Sequence, residues 1–208
     1  MNIKKAELDN PILSELARRW SPYCFESRMV SDADLRSLFE AARWAASSYN
    51  EQPWNYIIAT KANEHEFAKL LSCLDETNQA WAKNAPVLVL CVVSLRFAKN
   101  AKENRAAVHD LGLADGNLVM EATDRGLSVH QMIGIFPEMA RDLYRIPAHC
   151  EAWTAMAIGY KADVSTVKDE LRVRDLTPRT RKSLNQFVFE GQWGTPAPLA
   201  SGTQVLEN

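Results

Sequence analysis

The run Val87-Leu-Val-Leu-Cys-Val-Val93 constrains the fold more than any other segment of the chain. It follows Ala85-Pro86 and has the length of a buried strand. It is the longest apolar run present, and it falls far short of the roughly 20 residues a membrane-spanning helix needs. A chain of 208 residues can bury a core around such a strand without disulfides or metals. The first residues, Met-Asn-Ile-Lys-Lys, lead into no apolar signal segment, so a globular cytoplasmic protein is expected. Lys and Arg number 24 against 26 Asp and Glu, a formal net charge of −2, which argues against nucleic-acid and anionic-membrane partners.

Helical and extended patterns alternate around this strand. Asn10-Pro11 reads as an N-cap followed by proline at the first helical position, with Ile12, Leu13 and Leu16 continuing toward Arg18-Arg19. Ser31-Asp-Ala-Asp34 resembles a capping box and opens a helix with Leu35, Leu38, Phe39 and Ala42 on one face. Trp54 to Thr60 reads as a strand, and a helix near residues 64–73 is followed by a polar stretch through Asn78 and Trp81. Asn104 to Arg125 is the longest helical candidate; it is apolar on more than one face, so burial at a subunit interface is expected, with Gly126 as its stop. Leu127 to Met132 is a short strand, Ile133-Gly134-Ile135 a tight turn, and Pro137 opens another helix. Ala152 to Tyr160 is a last core strand, and the remainder from Ala162 is polar and punctuated by proline. Three to five strands interleaved with helices give an α/β or α+β sandwich with one core.

Familiar catalytic templates are missing. There is no GxSxG elbow, GxGxxG fingerprint, phosphate-binding Walker loop or HExxH helix. Cys24, Cys73, Cys91 and Cys150 are scattered without metal spacing, so no metal site is expected and the thiols read as buried and reduced. An enzyme of this kind would leave the hard chemistry to a bound cofactor. Three polar groups remain. Arg18-Arg19-Trp20-Ser21 lies at a helix end and suits a phosphate. Arg179-x-Arg181-Lys182 is a second cationic cluster. The loop Ser47-Ser48-Tyr49-Asn50-Glu51-Gln52-Pro53 offers amides and hydroxyls to a polar heterocycle. Each also reads as a solvated charged face or a capped turn.

Taken in order, these pieces resemble a known family. Arg19-Trp-Ser-Pro-Tyr-Cys-Phe25 and Glu40-Ala-Ala-Arg-Trp-Ala-Ala-Ser-Ser-Tyr-Asn-Glu-Gln-Pro-Trp54 are similar to the N-terminal motifs of the nitroreductase family of FMN-dependent oxidoreductases. Ala85 to Leu90, Asp110 to Leu118, Gly126-Leu127, Gly134 to Phe136 and Arg181 to Leu184 follow in the family's order, so the resemblance covers about residues 12 to 190.

The resemblance implies an α+β, three-layer sandwich with a central, mostly antiparallel sheet flanked by helices. It implies one FMN-binding domain over residues 1–190, an extended tail over 191–208, and a homodimer with FMN at the subunit interface. Arg19 and Ser21 would take the phosphate within the Arg18–Ser21 segment, joined by Arg179 and Arg181. Ser47, Ser48 and Asn50, with Gln52 in the same loop, would reach the flavin from the partner subunit. Asn78 would face the pyrimidine edge, and the Met132-Ile133-Gly134 turn would set a backbone N–H near N5. Trp20, Tyr49, Trp54 and Trp81 are candidates for shaping the slot. Tyr23 and Trp81 stand where many members carry cations, which would lower the reduction potential unless another group supplies the charge. The implied activity passes hydride from NADH or NADPH through N5 to a nitroaromatic or quinone by a ping-pong route. The alternatives are a protein that stores FMN, or a member acting on flavin itself or on a halogenated aromatic.

Overall fold

The computed structural model describes residue 4, residues 6–163 and residues 170–200. The backbone divides into two compact units, one of residues 19–175 and one of residues 1–18 with 176–208. The expectations for Met1–Ile3, Lys5 and residues 201–208 lie outside the described residues.

In the larger unit the apolar run forms the second strand of a four-stranded antiparallel sheet: β1 (Trp54–Thr60), β2 (Val87–Ser94), β3 (Ser128–Met132) and β4 (Cys150–Gly159), ordered β1-β2-β4-β3. β2 pairs with β1 from Trp54↔Val93 to Thr60↔Val87 and with β4 on its other side. Both edges of β2 are therefore satisfied, and every residue from Val87 to Val93 is buried. The strand's alternation sends Leu88, Leu90 and Val92 into one core and Val87, Val89, Cys91 and Val93 into the other. The helices, in chain order, are α1 (Ser14–Arg18), α2 (Asp32–Arg43), α3 (Glu64–Ser72), α4 (Glu76–Ala82), α5 (Ala107–Asp124), α6 (Pro137–Tyr144) and α7 (Glu170–Leu176). Helices α3, α4 and α6 contribute Phe67, Leu70, Trp81, Ala82 and Ala140 to the first core. Helices α2 and α5 contribute Leu35, Leu38, Leu111, Ala114 and Leu118 to the second. The result is the expected sandwich of helix, sheet and helix, with the sheet fully antiparallel.

Side-chain caps set the helix starts. Ser31 Oγ accepts from Asp34 N at 3.0 Å and Asp75 Oδ1 accepts from Asn78 N at 2.7 Å. Gly126, at φ 74°, ends α5, with Leu127 N donating to Ala122 O at 2.8 Å. The expected single core is instead two, one on each face of the sheet, because β2 is buried on both sides; the other differences from the sequence reading are local. Helix α1 spans only five residues and begins at Ser14, not at Pro11. Residues 76–82, expected as a polar stretch, form α4, because the Asp75 cap and the buried Trp81 and Ala82 stabilise a segment with no apolar period. All four cysteines are free and buried. No helix of the described residues is long and apolar enough to cross a membrane.

In the smaller unit, Arg179 ties the two chain ends by donating to Lys4 O at 3.2 Å and Ala17 O at 2.6 Å. Residues 188–197 close on themselves: Phe189 pairs with Pro196, Ala197 N donates to Val188 O at 3.0 Å, and Gly191 and Gly194 take φ of 77° and 87°.

Candidate functional site

The segment entering the larger unit carries the first group. Arg19 Nη1 donates to Ser21 Oγ at 3.0 Å, a guanidinium and hydroxyl already paired in the way that suits a phosphate. Pro22 O then accepts from His130 Nδ1 of β3 at 2.8 Å. That contact places the proton on Nδ1, and burial lowers the imidazole pKa, so His130 is neutral at pH 7. The Tyr23 ring meets Trp81 and His130 edge-on, with centroids 5.2 and 4.6 Å away. The backbone N–H groups of Tyr23 and Cys24 donate to the two carboxylate oxygens of Asp175, at 2.9 and 3.0 Å. The Arg174 guanidinium lies 5.0 Å from the Tyr23 ring centroid. Helix α7 thus supplies both a clasp and a cation to a segment far earlier in the chain. Trp20 is half-buried, whereas Trp81, 1% exposed, belongs to the core and not to a slot wall.

The second group is the turn after β3. Met132 is buried and Ile133 is 86% exposed. Gly134 O accepts from Asp75 N at 3.0 Å and from Asn78 Nδ2 at 3.1 Å, while Asn78 Oδ1 accepts from Trp81 Nε1 at 3.2 Å. A Cβ at position 134 would overlap the Asp75 carboxylate and the Asn78 carboxamide, so any larger residue would force both side chains to shift. The Gly134 N–H enters no hydrogen bond among the described residues. Trp81 bonds to Asn78 and packs on Tyr23, so the two groups are linked through a residue of the core.

Loop 47–52 stands on contacts of its own. Ser48 N donates to Asp110 Oδ2 at 2.9 Å, and Gln52 N to Ser47 Oγ at 3.0 Å. Tyr49, Asn50 and Gln52 have φ of 55°, 56° and 52°. Left-handed backbone costs a non-glycine residue roughly 1 kcal/mol or more, and such strain persists where surrounding contacts over-determine it, often at functional positions. Trp54, by contrast, packs against the second core. The predicted residues of the larger unit therefore fall into two groups, not one.

In the smaller unit, Arg18 is held by Glu15 at 2.7 Å. Arg179 has a buried Nε with no partner, and burial together with the like charge of Arg181 holds its guanidinium below its ordinary pKa. Arg181 itself donates to Thr180 O at 2.7 Å and is exposed.

Sequence reasoning missed four residues that shape these groups: Asp75, Asp110, His130 and Asp175. Only Asp75 left a signal, standing three residues before Asn78 as a helix cap. The others act through partners distant in sequence.

Polar side chains thus gather around the Gly134 turn, and no cluster of three or more metal-ligating side chains occurs among the described residues. The nitroreductase family model matches residues 16–160, and the chain belongs to that family. The chain is 31% identical over 135 residues to an uncharacterized 15.4 kDa protein of Mycolicibacterium smegmatis, across 65% of this chain and 89% of that protein. It is 31% identical over 99 residues to the major NAD(P)H-flavin oxidoreductase of Aliivibrio fischeri, across 45% of this chain and 44% of that one. Among solved structures, an oxidoreductase containing FMN is similar with a TM-score of 0.84 and 31% identity, over 94% of this chain and 98% of that chain. A nitroreductase family protein of Clostridium difficile, with a TM-score of 0.67 and 20% identity over 88% of this chain and 99% of that one, shares the fold.

Proposed function

We propose that this protein is an NAD(P)H-dependent oxidoreductase that holds FMN and reduces an electron-poor conjugated acceptor, a nitroaromatic or a quinone. The observation that carries the reading is the Gly134 turn, whose carbonyl is held by Asp75 N and Asn78 Nδ2 while its backbone N–H stays unbonded among the described residues. In the larger unit that N–H and the Arg19–Ser21 pair fit an anionic flavin nucleotide; in the smaller unit Arg179 keeps a buried Nε with no partner, beside the like charge of Arg181. The FMN named for one structural relative and the NAD(P)H named for one sequence relative support the same choice.

In this reading Arg19, Ser21, Arg179 and Arg181 are phosphate ligands. Asn78 presents its carboxamide to the ring edge, and the Met132–Gly134 turn aims a donor at the ring. Ser47, Ser48, Asn50 and Gln52 serve the second subunit of a homodimer. When bound, FMN supplies a centre that accepts and returns hydride, so reductant and acceptor use one site and ping-pong kinetics follows. The protein's own contribution is placement. The Asp175 clasp holds Tyr23 and Cys24, and neutral His130 fixes the Pro22 carbonyl. Arg174 puts positive charge beside Tyr23, where the family resemblance leads a cation to be expected.

Initial rates with NADH or NADPH varied against menadione test the proposal. Parallel double-reciprocal lines are expected. FMN binding without oxidation of either nicotinamide would overturn it and leave a flavin-binding protein.

A further inference from the structure

Beside loop 47–52 lies a hairpin outside the four-stranded sheet. Asn104 N donates to Leu95 O at 2.8 Å, Phe97 N to Lys102 O at 2.9 Å and Ala101 N to Phe97 O at 2.8 Å, with Ala101 at φ 57°. The hairpin is latched to the loop, since Glu51 Oε1 accepts from Ala98 N at 2.6 Å. Loop and hairpin thus form one joined body. Across the latch the Tyr49 ring meets Phe97 edge-on, with centroids 5.8 Å apart, and Lys99 Nζ stands 4.9 Å from the Tyr49 centroid. Tyr49 is 80% exposed. A large aromatic side chain is therefore held in solvent by backbone in the left-handed region, which is not how a solvated turn is built.

The charge of this body is unlike that of the chain. Residues 95–105 carry Arg96, Lys99, Lys102 and Arg105 against Glu103 alone, while the chain as a whole is at −2. Among the described residues none of these four cations forms an ion pair. Of the carboxylates bonded to loop or hairpin, Glu51 accepts from Ala98 N and Asp110 from Ser48 N. A cavity of about 390 Å³ opens beside Glu51, lined by Gln52, Arg96, Phe97 and His149 among others.

We infer that Tyr49, Phe97 and Lys99 form a recognition platform for a small planar aromatic anion, and that the acceptor of this enzyme carries a carboxylate or sulfonate on its ring system. The aromatic faces take the ring, and the ammonium, within one ring's width of Tyr49, takes the charge. The inference deepens the proposed function, because it rests on loop 47–52 belonging to the reaction site.

The test is calorimetric titration of the purified full chain with two redox-inert probes, naphthalene-2-sulfonate and uncharged naphthalene-2-methanol, at low ionic strength. The sulfonate is expected to bind about tenfold more tightly than the alcohol. Lys99→Gln brings the two affinities together, whereas Tyr49→Ala weakens both. Equal affinities in the wild type, or a preference that survives Lys99→Gln, overturn the inference. Neither probe is turned over, so failure of the oxidoreductase reading shows separately, as protein that binds no FMN or that binds it and oxidises neither nicotinamide.

Discussion

Asp115 sits on the inner face of α5 with 4% of its surface exposed. Burial pushes its carboxyl up to about 6, even though the Tyr56 hydroxyl donates to it at 2.8 Å and Cys91 also bonds to it. The native state therefore holds a proton that the unfolded chain releases near pH 4. Stability falls as pH rises from about 4 to 6, by up to roughly 3 kcal/mol, and the loss is complete above that window. Asp115→Asn keeps an acceptor for Tyr56 and removes the charge. Urea melts should show it more stable than wild type at pH 8, with the gap closing toward pH 4; a gap independent of pH contradicts the assignment. At Arg19, alanine should weaken FMN relative to riboflavin by about 1.5–3 kcal/mol, the worth of a charged hydrogen bond. Fluorescence titrations with both ligands read this difference. Equal losses would place Arg19 away from the phosphate.

At the scale of elements, α4 and the Gly134 turn depend on one residue. Asp75 caps the helix through Asn78 N, while its own N–H holds Gly134 O. Asp75→Ala should cost about 1 kcal/mol for the lost cap, and Gly134→Ala about 1–3 kcal/mol for forcing a methyl group against Asp75 and Asn78. The double variant should cost less than the sum, because removing the carboxylate relieves part of the overlap; additivity within about 0.5 kcal/mol would show that the two do not share space. Elements with a clear period were legible before the fold was seen. β1 runs from Trp54 to Thr60 as read, and α2 starts at the Ser31 cap. Helices α4 and α7 were not, since seven residues give no period and their partners are distant: Trp81 packs on Tyr23, and Asp175 clasps Tyr23 and Cys24. The site shows the same division. Arg19–Ser21 and Ser47–Gln52 stood out by residue type, whereas His130 and Asp110 matter only through chain segments that folding brings to them.

At the scale of the molecule, the outer face of α5 bears on assembly. Gly112 and Gly116 have open space where a Cβ would stand, and Leu113 is 41% exposed beside them. Ile133 is 86% and Trp153 39% exposed near the same helix, around a cavity of about 430 Å³. An apolar face of that kind suits a second copy of the chain. Light scattering at micromolar concentration should give twice the 23.4 kDa chain mass for flavin-loaded protein. A flavin-loaded monomer would contradict the interface role of Ser47, Ser48 and Asn50. The most direct measurement is the visible absorption of protein titrated with FMN under nitrogen and then treated with NADPH or NADH. One FMN should bind per chain, and its yellow bands should bleach on addition of the nicotinamide. Protein that stays colourless in excess FMN would contradict the account at its root.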